Sequence, residues 1–250
     1  ALLIQIGANF ANDVFDYKKG ADAGARLGPL RVTQSGLLTP GQVMSGMLLT
    51  FGLAALLGVY LILVGGWPIL VIGLLSIASG IAYTGGPFPL GYNGLGDLFV
   101  FLFFGFVAVC GTYYVQAGTV TAAALWASIP MGALITNILV VNNLRDIETD
   151  RAAGKMTLAV RLGVRGAQTE YLLMLILAYA SPLLMWLLKL TTPWALLAWL
   201  SLPWNVSPLH LVLQEQGRIL NKALAETARL ALLFALLFSL GLVIDRLSLF

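Results

Sequence analysis

The sequence predicts an all-α integral membrane protein, a polytopic bundle of helices. Of its 250 residues, 59% are apolar and only 10% are charged, more apolar surface than a soluble domain of this size needs. Several apolar runs approach the roughly 20 residues that cross about 30 Å of hydrocarbon as a helix. Lysine and arginine collect in alternate connections between these runs. The run lengths disfavour the alternative, an unusually apolar soluble helical bundle.

We predict eight membrane segments, the first a fragment and the seventh short and interrupted by Pro203. They are 1–12, 43–64, 67–85, 97–116, 121–141, 168–188, 193–209 and 227–246. The sequence begins inside an apolar run and without methionine. We therefore expect about nine transmembrane helices in a full chain, roughly eight of them here, with the first missing or truncated. Residues 1–250 are expected to form a single integral-membrane domain.

The basic residues predict which loops share a side of the membrane. Successive crossings place 13–42, 86–96, 142–167 and 210–226 together. With Arg229 at the same interface, this side holds twelve of the fourteen lysines and arginines. The positive-inside rule makes it the cytoplasmic side. The connections on the opposite side are too short to hold a site, so we expect the active site to face the cytoplasm.

Two polar clusters directly follow apolar runs on this side. The first is NFANDVFDYKKGAD (9–22), and the second is NNLRDIETDRAAGKMTLAVRLG (142–163). In each, asparagine and aspartate recur at spacings of three and four, which places them on one face of a helix. These residues are Asn9, Asp13 and Asp16 in the first cluster, and Asn142, Asp146 and Asp150 in the second. The pattern predicts one site assembled from two halves.

The residue types predict a magnesium and phosphate site. Clustered carboxylates repel each other unless cations neutralise them, and oxygen ligands without His or Cys favour Mg²⁺, which often takes further ligands from substrate phosphates. The single Cys110 and single His210 exclude a multi-Cys or multi-His metal site. Flanking bases could bind remaining phosphate charge: Lys18, Lys19, Arg145, Arg151 and Lys155. Solvated loop charges are the alternative, although acids at a membrane edge are usually functional.

The same stretches resemble the UbiA superfamily of intramembrane aromatic prenyltransferases, whose two aspartate-rich motifs are similar to NDVFD (12–16) and DIETD (146–150). The strongest resemblance is to the 1,4-dihydroxy-2-naphthoate polyprenyltransferase (MenA) branch. It extends over nearly the whole chain through RLGPLRVTQSGLLTP, YTGGPFPLGYNGLGDLFVFLFFG, GTYYVQ, NNLRDIETDRAAGKMTLAVRLG and GRILNKALAETARLALLFALLFSLGL. Ubiquinone-type members carry a third aspartate where this chain has Gly20, and a basic pair where the loop 83–97 has none. These differences leave the roles of Asp22 and Asp97 open.

The resemblance implies a Mg²⁺-dependent transfer of a polyprenyl group from prenyl diphosphate to 1,4-dihydroxy-2-naphthoate. Diphosphate and CO₂ would leave, giving demethylmenaquinol for menaquinone biosynthesis, at a multi-pass protein of a bacterial cytoplasmic (inner) membrane. The expected partners are the two substrates and the lipid bilayer, and not nucleic acid. The expected catalytic and Mg²⁺-binding residues are Asp13, Asp16, Asp146 and Asp150. The expected substrate and diphosphate contacts are Asn9, Asn12, Lys18, Asn142, Asn143, Arg145, Arg151, Lys155 and Tyr83.

Other functions compete with this one. A related enzyme could use another aromatic acceptor, 4-hydroxybenzoate or homogentisate. A membrane CDP-alcohol phosphotransferase would need a D-G-x-x-A-R pattern that the sequence lacks. A cation-coupled transporter would carry its acids near the middle of broken helices, whereas these acids lie at helix ends. The glycine-rich loop 83–97 is either an ordinary turn or a substrate-gating loop.

Overall fold

The structure, a computed structural model, describes residues 1–21 and 27–247, so Asp22 lies outside the described residues. Within these ranges it is helical and contains no strand, which confirms the all-α prediction. The helices are α1 (Leu2–Lys18), α2 (Pro40–Gly65), α3 (Trp67–Ala82), α4 (Gly96–Ala117), α5 (Ala122–Arg145), α6 (Ile147–Ala152), α7 (Leu158–Leu187), α8 (Pro193–Gln214) and α9 (Gly217–Leu247).

Among the described residues, six helices are long and apolar enough to cross a membrane: α2, α4, α5, α7, α8 and α9. Helix α3 is a shorter apolar helix, and α1 combines an apolar first half with the first polar cluster. Every predicted segment coincides with a helix, although several limits differ. Helix α7 begins at Leu158 rather than at 168, and α9 begins at Gly217 rather than at 227. Helix α8 continues past 209 to Gln214, and α1 continues past residue 12 to Lys18. Asp13 and Asp16 therefore lie on a helix and not in the following loop.

Local sequence signals explain where several helices begin and end. Thr39 accepts a hydrogen bond from the Gln42 N–H in a capping box, and Pro40 opens α2 where its missing N–H costs nothing. Thr157 caps α7 in the same manner by accepting from the Val160 N–H, 3.2 Å away. Gly66 joins α2 to α3 with a φ of 73°, a conformation that favours glycine.

The main apolar core lies between α5, α7, α8 and α9, where Leu134, Tyr171 and Phe234 are fully buried. A smaller core joins α1 to α2 through residues that include Ala11 and Phe51. Buried aromatic and aliphatic side chains of this size stabilise such contacts between helices through close packing, which drives helix association in lipid.

The segments predicted to share one side of the membrane do meet at one end of the bundle. Asn221, at the start of α9, donates a hydrogen bond to the Leu27 carbonyl at 2.9 Å. The Met156 N–H, between α6 and α7, donates to the Tyr92 carbonyl at 3.0 Å. Both polar clusters are at this end, so the topology brings two distant parts of the chain to one place.

Candidate active site

Asp13 holds the loop that follows α1. Its two carboxylate oxygens accept hydrogen bonds from the backbone N–H groups of Val32 (3.1 Å) and Thr33 (3.3 Å). The residue is 7% exposed, so these bonds replace the water that the carboxylate loses on burial. The returning loop is thereby fixed against the first motif.

Asp16 joins three segments. One oxygen forms an ion pair with Arg31 Nη2 at 3.0 Å, and the other accepts a hydrogen bond from the Tyr92 hydroxyl at 2.9 Å. One turn earlier, Asn12 accepts a hydrogen bond from the Thr84 hydroxyl at 3.1 Å. The loop 83–95, between α3 and α4, is therefore attached to the first motif at two points.

The second motif spans a helix break. Helix α5 ends at Arg145, and Asp146 has a φ of −101° and a ψ of 10° before α6 begins. Backbone hydrogen bonds continue across the break, from the Asp146 N–H to Asn142 (3.2 Å) and from the Asp150 N–H to Asp146 (2.8 Å). The predicted single helical face is therefore interrupted, although the three residues still follow one another by one turn.

Arg145 is an internal anchor. Its side chain is 2% exposed. Nε donates to Asp146 at 2.8 Å, Nη1 to Asn221 at 2.7 Å, and Nη2 to Asn142 at 2.8 Å and to the second oxygen of Asp146. Four of the five N–H donors of the guanidinium are thus used inside the protein. Gly28 lies against this group, where a methyl group would be 2.8 Å from Nη2.

Only one of the two carboxylate oxygens of Asp150 has a partner in the protein. Its Oδ1 lies 3.5 Å from Lys155 Nζ, while its Oδ2 is buried and accepts no hydrogen bond. Burial raises the pKa of Asp150 to about 6, and the negative charges of Asp146 and Asp16 add to this, against the opposing effect of Lys155. The carboxyl group can therefore gain or lose a proton close to neutral pH.

An aromatic ring joins cations from both motifs. Lys19 Nζ lies 4.4 Å and Lys155 Nζ 5.8 Å from the centroid of the Tyr92 ring, within the range of cation–π attraction. Lys19 also donates to the Thr84 carbonyl at 2.6 Å. Burial lowers the pKa of Lys19, and the nearby Asp16 opposes this effect.

Tyr83 lies beside the acids of both motifs. It packs against two glycines, and a methyl group at Gly96 would lie 2.7 Å from its hydroxyl oxygen. Burial raises the pKa of the Tyr83 phenol, and the charges of Asp97, Asp150 and Asp16 raise it further. The predicted substrate contact therefore lies near acids of both motifs.

The remaining predicted residues lie in different surroundings. Asn143 is buried, whereas Asn9 and Lys18 are exposed. Arg151 is half exposed and pairs with Glu148 at 3.0 Å, so its charge is directed toward a neighbouring surface acid. Sequence reasoning assigned no role to Arg31, Thr84 or Asn221. Arg31 lies in the quoted stretch RLGPLRVTQSGLLTP, but no spacing rule connects it to Asp16.

The donor atoms suit a hard divalent cation. Aspartate and asparagine oxygens are ligands that Mg²⁺ accepts, and the unpartnered Oδ2 of Asp150 has capacity for one. Among the described residues, no three acidic, histidine or cysteine side chains are grouped closely enough to hold a metal ion together. The acids of the motifs instead contact cations and N–H groups of the chain.

Together, the fold and this site define a polytopic helical membrane protein with an acidic and basic site at one end, built from two motifs. The model of the UbiA prenyltransferase family matches residues 1–233. The chain belongs to this family, and the predicted class, a prenyltransferase, is confirmed.

Similar proteins include three named 1,4-dihydroxy-2-naphthoate octaprenyltransferase. The protein of Mycobacterium tuberculosis H37Rv is 40% identical over 249 residues, which cover 99% of this chain and 84% of the relative. The Escherichia coli K12 protein is 38% identical over 251 residues, covering 98% and 82%. The Bacillus subtilis 168 protein is 32% identical over 245 residues, covering 98% and 79%.

Proposed function

We propose that this aromatic prenyltransferase transfers a polyprenyl group from prenyl diphosphate to 1,4-dihydroxy-2-naphthoate. Diphosphate and CO₂ leave, and the product is demethylmenaquinol for menaquinone biosynthesis. The observation that carries the proposal is the meeting of both aspartate motifs at one end of the bundle, where Tyr92 contacts Asp16 and two lysines. The names of the similar bacterial proteins support the choice of acceptor.

The acids of the two motifs are the proposed Mg²⁺ ligands: Asp13, Asp16, Asp146 and Asp150. When bound, the metal supplies positive charge that stabilises the departing diphosphate. Lys19, Lys155 and Arg31 are the best-placed cations for the phosphate oxygens, because each already faces a motif acid or the Tyr92 ring. Arg145 has its donors engaged internally, so we assign it to holding Asp146 and not to the diphosphate.

The apolar helices serve the other half of the reaction. Loss of diphosphate leaves an allylic carbon with cationic character, which water would capture. The apolar helices next to the site exclude water, and the polyprenyl tail extends along them into the bilayer. The electron-rich ring of the acceptor then attacks the allylic carbon. We place the protein in a bacterial cytoplasmic membrane with this site on the cytoplasmic side, following the distribution of its basic residues.

Product formation tests the proposal. Membranes containing the protein are incubated with a polyprenyl diphosphate, Mg²⁺ and one of three acceptors: dihydroxynaphthoate, 4-hydroxybenzoate or homogentisate. We expect prenylated product from dihydroxynaphthoate, with loss of its carboxyl group as CO₂, and none after chelation of divalent metal until Mg²⁺ is restored.

Matched variants make the test specific to the site. Asp13→Asn and Asp146→Asn should lower the rate at least about 100-fold, since each removes an anionic ligand that holds the proposed metal against the departing diphosphate. Glu148→Gln removes an exposed acid of the same segment and should retain full activity. Product from 4-hydroxybenzoate or homogentisate alone would replace the proposed acceptor, and full activity in both aspartate variants would refute the proposed site.

A further inference from the structure

Asp97 is a buried acid for which the reaction described above has no use. It lies in the first turn of α4 and is 5% exposed. Both carboxylate oxygens are buried, and no other described residue donates a hydrogen bond to either. Such a group is costly because its lost hydration is not replaced. An unsatisfied buried acid in a native fold calls for a partner that arrives from outside the chain.

The residues around Asp97 limit which kinds of molecule could be that partner. The preceding residue, Gly96, lies against the Tyr83 hydroxyl, where a methyl group would be 2.7 Å from its oxygen, so Asp97 is placed next to this phenol. Glu170 of α7 is close enough for the charge of Asp97 to act on it. Tyr83 is also close enough to Asp150 and Asp16 for their charges to act on it. Asp97 therefore lies at the same polar end of the bundle as the two motifs, and Tyr83 is the residue it shares with them.

Of the organic groups in the proposed reaction, only one offers a neutral hydrogen-bond donor. As for the metal, the described residues include no group of three acids around Asp97 that could hold it. The diphosphate group is anionic, so an ionised Asp97 repels it. The polyprenyl chain has no donor. The aromatic acceptor carries hydroxyl groups, and an O–H···O⁻ bond to a buried carboxylate is short and strong.

We propose that Asp97 accepts a hydrogen bond from a hydroxyl group of the aromatic acceptor and thereby sets the orientation of its ring. The inference rests on the proposed function. With Asp97 ionised, the carboxylate of the acceptor points away from it, toward Lys19 and Lys155, which flank Tyr92. The hydrogen bond also places electron density on the hydroxyl oxygen, which makes the ring a better nucleophile.

Steady-state kinetics with each substrate varied in turn test this role. We expect Asp97→Asn to lower kcat/KM for dihydroxynaphthoate about 10- to 100-fold, the usual effect of weakening a hydrogen bond to a charged group. The KM for prenyl diphosphate and the Mg²⁺ concentration for half-maximal rate should stay at wild-type values. Asp97→Glu keeps the charge but moves it by one methylene, so its loss should be smaller and again confined to the acceptor.

Inhibition by acceptor analogues identifies the contacted hydroxyl. Two analogues of dihydroxynaphthoate, each lacking one hydroxyl group, are compared with the parent compound on wild type and on Asp97→Asn. The analogue without the contacted hydroxyl should bind both proteins equally, whereas the other should lose affinity in the variant. Equal losses for both analogues would overturn the assignment.

Two further results would overturn the inference while leaving the proposed function intact. One is a changed Mg²⁺ or prenyl diphosphate dependence in Asp97→Asn, which would place the residue in the metal site. The other is unchanged kinetics for every substrate. A melting temperature close to that of wild type should accompany the kinetic defect, and Glu148→Gln is the matched control. If wild-type protein prenylates no aromatic acceptor, the proposed function fails and this inference fails with it.

Discussion

Arg145 and Arg151 form a natural pair for testing which arginine of the second motif is structural. Both were predicted to contact the diphosphate, and they lie six positions apart in one segment. The Arg145 side chain is 2% exposed and makes its bonds inside the protein. The Arg151 side chain is 50% exposed and faces Glu148, which is 83% exposed. The two alanine variants should therefore differ sharply in stability.

The expected magnitudes follow from burial. Removing one partner of a buried ion pair costs about 3–5 kcal/mol, because the other charge stays buried and uncompensated. Arg145→Ala leaves Asp146 in that state and also unpairs the side-chain oxygens of Asn142 and Asn221. An exposed pair contributes at most about 1 kcal/mol. At about 2–4 °C per kcal/mol for a chain of this size, Arg145→Ala should melt about 6–20 °C below wild type.

Thermal unfolding in detergent measures this difference. Cys110 is the only cysteine in the chain and is partly buried, so a thiol-reactive dye reports the temperature at which the bundle opens. Asn221→Ala should give a smaller decrease than Arg145→Ala, since it removes the bonds of the amide to Arg145 and Leu27 without leaving a charge unpaired. If Arg145→Ala melted within about 2 °C of Arg151→Ala but bound prenyl diphosphate more weakly, Arg145 would be a ligand and the anchor assignment would be wrong.

Three further variants or conditions examine the loop, the metal site and the packing. Tyr92→Phe keeps the ring but removes the 2.9 Å hydrogen bond to Asp16. Hydrogen exchange of the loop 83–95 should therefore become about 10-fold faster in this variant, and unchanged protection would show that the hydroxyl does not hold the loop. With the pKa of Asp150 raised to about 6, the carboxyl group is ionised above that pH and protonated below it. The Mg²⁺ concentration for half-maximal activity should therefore rise between pH 7.5 and pH 5.5, and an equal requirement at both pH values would contradict this. Gly132→Ala would place a methyl group 2.8 Å from a backbone oxygen of α4, so we expect it to lower stability by about 1–3 kcal/mol. The methyl group of Gly58→Ala meets nothing within 4 Å, so this variant should melt at the wild-type temperature or above it. If both alanine variants melted at the same temperature, the close packing at Gly132 would be contradicted.

The helices were predictable because their signals are local. The segment predicted as 97–116 is the helix Gly96–Ala117, since an apolar run of that length allows little else in a membrane. The start of α7 was predicted too late, because Arg161 and Arg165 reduce the apolar character of its first turns. The capping residue Thr157, followed by helix-forming residues, was the available signal for the earlier start.

The partners of the acids could not be predicted in the same way. The sequence shows that Asp16 needs a cation, but Arg31 and the Tyr92 hydroxyl reach it only because two separate loops fold over α1. Asn221 reaches Arg145 from a helix 76 residues away. Nor does the composition distinguish an anchored arginine from an exposed one, because burial follows from the tertiary contacts of each side chain.

Each of the four acids of the two motifs has a partner inside the protein without any ligand. Asp16, Asp146 and Asp150 each face a cation of the chain, and Asp13 faces two N–H groups. A divalent metal competes for these carboxylates, whereas a diphosphate competes for the cations that neutralise them. Either ligand alone would leave buried charges of one sign without partners, at a cost of several kcal/mol. With both bound, the carboxylates of these four acids would hold the metal and the bases would face the phosphates, so each of these charges would exchange one partner for another. This is the physical reason to expect that the site takes metal and diphosphate as one unit.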